Sequence, residues 1–202
     1  MSFSLSNTVR WAIEWCNKPN VGYNMSYRNM RTVNGVTYFD CSSFTFYALW
    51  LGGGFDFTKF GYPADLSLYQ TGKANAWIVN QNMYNILEQS GWVQLNPMSV
   101  TWQQGDILIR RGEHTEFAYS NSPLMSMGAR GRFNSDGSPR PLDEQVAIHT
   151  TSNNGYWNML YRYSGQPEPP SPPPVPPIPP HPVQEDKMPL FMMLKPYWRY
   201  FT

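Results

Sequence analysis

Residues 38–49 read Tyr-Phe-Asp-Cys-Ser-Ser-Phe-Thr-Phe-Tyr-Ala-Leu. Phe44, Tyr47, Ala48 and Leu51 recur at helical spacing, which predicts a helix over 40–51 that stops at Gly52-Gly53-Gly54. Aspartate is among the strongest N-cap residues, so Asp40 is the expected cap and Cys41 falls in the first turn. Unsatisfied N–H groups at a helix start favour negative charge, and the thiolate is the reactive form of cysteine. Taken alone, the stretch also fits a core cysteine on an amphipathic helix, because free cysteine is usually buried.

Working outward, a first helix is expected over 8–17, capped by Ser6 or Asn7, with Val9, Ile13 and Cys16 on its inner face. Cys16 reads as a buried structural thiol, since a Cys16–Cys41 disulfide would consume the nucleophile. Residues 23–37 read as a polar loop. A third helix is expected over 75–89, with Ile78, Met83, Ile86 and Leu87 inward and Gly91 as its stop. Then the pattern shifts to short strands at 92–95, 106–110, 115–120, 146–151 and 159–163. Helices first and strands later predict an α+β fold with an antiparallel sheet of about five strands. Residues 128–141, rich in Gly, Ser, Arg and Pro, read as a long loop.

The domain ends near residue 165. Residues 166–186 form a proline-rich linker expected to adopt extended polyproline II, with His181 as a solvated spacer. Residues 187–202 are too few to bury their aromatic and aliphatic side chains alone, so they are expected to dock on another surface.

The chain has 15 basic and 14 acidic residues, without the clustered Lys/Arg that a nucleic-acid partner requires. It has no basic leader followed by an apolar run, so no signal peptide is expected. Nor does any apolar run approach the ~18 residues of a membrane span, so membrane insertion is not expected. The two cysteines and three histidines allow few chemical constellations. None has zinc-ligand spacing, and no metal or cofactor is expected. His114, in Glu-His-Thr-Glu-Phe after Gly105-Asp-Ile-Leu-Ile, would lie on a strand and is the candidate base for Cys41. Asp40 is a cap rather than an acid. Ser42 and Ser43 would fill the first turn and leave donors near the thiolate, and the Cys41 N–H would face a developing oxyanion. Glu116 alternates with His114 and would share its face, either binding substrate or standing as a rim charge. Arg130, Arg132 and Arg140 either meet substrate carboxylates or belong to a solvated loop.

Residues 38–49 resemble the nucleophile helix of NlpC-type papain-like cysteine peptidases, and within that superfamily the phage peptidoglycan amidohydrolases. Trp11-Ala-Ile-Glu-Trp with Gly22-Tyr23 is similar to their first helix and following Gly-Tyr. Gly105-Asp-Ile-Leu with His114-Thr resembles their histidine strand, and Val146-Ala-Ile-His with Tyr156-Trp and Leu160-Tyr-Arg-Tyr their last strands. The resemblance covers residues 8–165 and implies that 1–165 is a papain-like cysteine hydrolase domain. It implies attack by Cys41 on a peptidoglycan amide, with His114 as base and then acid, a thioester intermediate, and Tyr23 polarising the carbonyl. The implied setting is an endolysin or virion-associated lysin, held in the virion or host cytoplasm before release and acting at the bacterial wall. Virion or tail proteins are candidate partners through the linker and C-terminal segment. Many relatives orient the first histidine with a second one about a dozen residues later, where this chain has Ser126. The orienting group is therefore His149 on a later strand, Ser126 or a backbone carbonyl, or another polar group. The departure also leaves open a non-enzymatic virion component with a decayed hydrolase fold.

Overall fold

The computed structural model describes residues 2–165, and the expected linker and docking segment at 166–202 lie outside them. Five α-helices and nine strands make a mixed α+β architecture. Helix α1 spans Leu5–Cys16 and starts earlier than expected, because Ser4 rather than Ser6 or Asn7 is its N-cap and accepts from the Asn7 N–H. The extra turn brings Leu5 and Val9 over Gly105, where no side chain stands in the way.

The stretch read as a polar loop contains a three-stranded sheet: β1 (Val21–Tyr23), β2 (Asn29–Val33) and β3 (Val36–Phe39), in the order β1-β3-β2. β1 pairs parallel with β3, and β2 antiparallel. Asn34 and Gly35 both take positive φ and form the β2–β3 turn, which is the hairpin signal that Asn-Gly carries. The high asparagine content hid the sheet, since its strands are short and its outer face is polar.

Helix α2 (Cys41–Tyr47) follows directly and relaxes into a π-helical turn, Ala48–Gly52. The wider turn ends on glycines because α1 passes too close for side chains. A methyl at Gly53 would stand 2.1 Å from Thr8 Oγ1 and 2.7 Å from Phe3, and one at Gly52 would stand 2.6 Å from Trp11 Cβ. A 3-10 turn (Phe57–Phe60) and α3 (Leu66–Gln70) lead to α4 (Gln81–Gln89). The third helix is shorter than expected: Asn80 caps it by accepting from Asn82 and Met83 N–H, and Ile78, before the cap, is 50% exposed rather than inward. Trp77 holds the preceding segment irregular by burying its ring and donating Nε1–H to Ser42 O at 2.8 Å.

The large sheet has six strands in the order β4-β9-β5-β6-β7-β8: β4 (Trp92–Leu95), β5 (Ile107–Arg110), β6 (His114–Asn121), β7 (Leu124–Ala129), β8 (Val146–Thr150) and β9 (Met159–Tyr163). All its pairings are antiparallel. The strand missed in the sequence is β7, whose Leu-Met-Ser-Met-Gly-Ala lacks the β-branched and aromatic residues that mark strands. It also takes Gly128 and Ala129 out of the expected loop. A short helix, α5 (Leu142–Gln145), precedes β8.

Successive strand residues divide between two cores, as a pleated sheet requires. Ile107, Ile109, Phe117, Met127 and Tyr161 join the main core with the helices, while Leu108, Ala118 and Leu160 pack with Trp102 and Trp157 in a smaller one. Asp106 is not a strand residue but a buried corner: it accepts Gln103 N–H and takes Arg162 through both oxygens, at 2.9 and 2.6 Å.

Gly53→Ala forces a methyl into Thr8 and Phe3, so we expect a loss of about 1–3 kcal/mol in urea unfolding, whereas Gly35→Asn, at an open positive-φ turn position, should stay within about 1 kcal/mol. Equal losses at the two sites would contradict the close-approach account.

Candidate functional site

The start of α2 is built by side chains that meet only in three dimensions. Asp40 Oδ1 accepts the Ser43 N–H at 2.7 Å, and Ser43 Oγ accepts the Asp40 N–H at 2.9 Å, a reciprocal capping box. Arg28 sets its guanidinium 2.8 Å from Asp40 Oδ2 and donates to Ser42 Oγ at 2.7 Å and to Trp77 O. Ser43 Oγ also donates to Arg28 O. The Ser42 and Ser43 hydroxyls, expected to serve substrate, are thus committed to this network. Sequence spacing carried no sign of Arg28 or Trp77. The cap occupies the Ser43 N–H and leaves those of Cys41 and Ser42 at the helix end, beyond the reach of its i→i−4 ladder.

Cys41 is 7% exposed and is a free thiol, as is buried Cys16. It lies 4.0 Å from Glu113 O, the residue before His114, and the thiol and the His114 ring act on each other electrostatically. His114 opens β6, and its ring stacks on Trp157 with centroids 5.7 Å apart and planes at 22°. His114 Nε2 is 2.8 Å from Glu116 Oε1, which leaves Nδ1 as the ring nitrogen the carboxylate does not hold.

Glu116 is a buried lining residue of the cleft rather than an open rim charge. It is 2% exposed, and its second oxygen is 2.8 Å from His149 Nε2. His149, read as a candidate to orient His114, does not bond it directly but holds the carboxylate that bonds His114. Its Nδ1 is 2.9 Å from Thr150 O. Ser126 faces His149 across the β7–β8 ladder with Oγ 3.3 Å from Nε2, so it too supports the second histidine rather than the first. Room for the carboxylate comes from Gly128: a methyl there would stand 2.8 Å from Glu116 Cγ. The two-residue spacing in His-Thr-Glu put Glu116 on the face of His114, but its burial follows from β7 and β8, which the sequence did not mark.

The electrostatics follow from this packing. Burial alone would raise the Glu116 pKa, but hydrogen bonds from His114 and His149, with their charges, overcome it and hold the carboxyl far below the usual range. Burial would lower His114, yet its bonds to Cys41 and Glu116 outweigh that and hold the imidazole well above its ordinary value. Behind the site, burial drives the Cys16 thiol far up, aided by the Glu116 charge, so this sulfur stays protonated. Tyr23, half-buried at the end of β1, is also pushed up, first by burial and then by Cys41 and Asp40, so its phenol remains a donor. Its N–H donates to Gln145 Oε1 at 2.9 Å, and Gln145 Nε2 donates to Arg140 O at 3.0 Å, which ties β1 to the 130–141 loop.

A cleft of about 600 Å³ opens beside His114, bounded also by Arg130, Arg140, His149, Tyr156 and Trp157. Arg130 and Arg140 line this cleft together with His114, whereas Cys41 does not line it and Arg132 is exposed. A second cleft, of about 410 Å³, is bounded by Tyr84, Glu88, Arg111 and Tyr161 and holds neither cysteine nor histidine. Chemically, a thiol at a helix start near an imidazole whose Nε2 is held by a buried carboxylate has the parts of a nucleophile, a base and an orienting acid. No protein-family model matches the chain, and no curated protein matches it.

The pH dependence of stability has a definite sign. Glu116 is held below its unfolded pKa, so its contribution is present above about pH 4.5 and is lost as pH falls through the lower folded value. His114 is held above its unfolded pKa of about 6.5, so its contribution is complete below that value and is lost as pH rises through the folded one. Glu116→Gln should lower stability at pH 7 and flatten the fall below pH ~4.5 in urea unfolding. An unchanged acid limb would show that the carboxylate is not the group coupled to folding.

Proposed function

We propose that this domain is a cysteine amide hydrolase acting on peptidoglycan, of the papain-like kind that residues 8–165 resemble. The observation that carries the reading is the line Cys41, His114, Glu116, in which each group can hold the next in its reactive form. Cys41 as thiolate attacks the amide carbonyl. The oxyanion is met by the Cys41 N–H at the helix end and by the protonated phenol of Tyr23. His114 passes the proton it holds to the departing amine, which leaves a thioester on Cys41. It then takes a proton from water, which attacks the thioester, and returns it to the sulfur as the acid product leaves.

Glu116 keeps the Nε2 proton of His114 in place and directs Nδ1 to the sulfur. A carboxylate thus fills the orienting role that many relatives give to a histidine. On this reading the serine at position 126 does not remove the orienting group, and the alternative of a non-enzymatic virion component is what the wall assay separates. Hydrolysis of the wall from within a virion or after release from the host cytoplasm fits the resemblance to phage enzymes.

Turbidity of purified bacterial walls should fall with the native protein and stay constant with Cys41→Ala. Glu116→Gln should cut the initial rate by about 10²–10⁴-fold, since a misdirected imidazole costs that order in comparable triads. Mass spectrometry of the released fragments names the bond. Intact walls from several hosts, or full activity in Cys41→Ala, would overturn the proposal.

A further inference from the structure

The cleft beside His114 carries unbalanced positive charge. Its ionisable lining consists of His114, Glu116, Arg130, Arg140, His149 and the Tyr156 phenol, both oxygens of its one carboxylate are already held by the two imidazoles, and Glu144 acts on Arg130 only through space. The two arginines differ. Arg140 donates Nε–H to Asn134 Oδ1 at 3.2 Å and Nη1–H to Gly131 O at 3.1 Å, so its guanidinium is anchored by its own loop. Arg130 is half-buried, and its side chain makes no hydrogen bond or ion pair among the described residues.

A guanidinium drawn out of water without an acceptor is costly, because burying a charge needs a partner. The Arg130 backbone is nonetheless held in place. It follows directly on β7, and its N–H donates to Gln145 O at 2.8 Å. Gln145 in turn holds the Arg140 carbonyl and the Tyr23 N–H. A planar cation rooted at a strand end, with unbonded donors lining a cleft that His114 also lines, is a seat for a carboxylate.

We propose that Arg130 binds a free carboxylate of the substrate, so that the site selects an acidic stem peptide over its amidated form. This rests on the hydrolase reading above for its setting but not for its measurement. Arg140 adds charge to the seat without donating the main bonds. Tyr156, 41% exposed at the cleft edge, and the Trp157 ring behind His114 supply apolar walls for the peptide backbone.

The test uses the full chain carrying Cys41→Ala, which binds without turnover. Two N-acetylated stem tripeptides are titrated, identical except for a carboxylate or a carboxamide on the isoglutamyl residue. The carboxylate peptide should bind about 10- to 100-fold more tightly, the range of a charge-assisted bond. Arg130→Gln should erase the difference and Arg130→Lys restore part of it, with thermal melts of the variants verifying the fold. Equal affinities for the two peptides, or a preference that survives Arg130→Gln, would overturn the inference. So would inorganic phosphate displacing both peptides alike. Failure of the hydrolase reading shows differently: the native protein then cleaves neither peptide nor walls, whatever the binding pattern.

Discussion

One buried carboxylate organises the histidine side of this domain. Glu116 sits in the middle of the sheet, and an ion there is tolerable only if both oxygens are satisfied. His114 and His149 supply those bonds from opposite sides, at 2.8 Å each. The arrangement needs β6, β7 and β8 adjacent, a glycine at position 128, and a serine beside the second histidine. Each is present, and each looks unremarkable in isolation. A larger residue at 128 or a different strand order would leave a charge buried without partners.

The thiol side obeys an equivalent constraint. A cysteine is useful at a helix start only if that start is rigid and its first N–H groups are not consumed. Asp40 and Ser43 close the cap reciprocally, while Arg28 and Trp77 grip the helix end from the turn before β2 and from the segment before α4. The α1 helix presses on the far end, where glycines allow contact. The two halves of the site are therefore built from different layers, helical for the sulfur and sheet for the imidazole. They meet where α2 packs on β6.

Legibility in the sequence followed the range of the interaction. The Asp40 cap, the helix start at Cys41 and the strand carrying His114 were readable because each depends on neighbours within a few residues. The α+β class followed from the change of period along the chain. The strand β7 was hidden because its residues have weak strand preference, and it is a strand only because β6 and β8 flank it. Ser4 displaced Ser6 and Asn7 as cap because α1 gains packing over Gly105. The segment at 75–80 left its helical pattern because Trp77 is anchored to Ser42.

By itself the sequence determined which chemistry was available: two thiols, three imidazoles, and one thiol with the local pattern of a capped helix start. It also determined that Glu116 shares a strand face with His114, since that follows from alternation alone. Only the tertiary structure decided that Glu116 is buried between two histidines, that His149 supports it instead of His114, and that Arg130 opens onto the same cleft. The physical reason is that burial is a property of the assembled sheet. A carboxylate two residues from a histidine becomes its partner or a solvated charge according to which strands close over it, and those strands lie far along the chain.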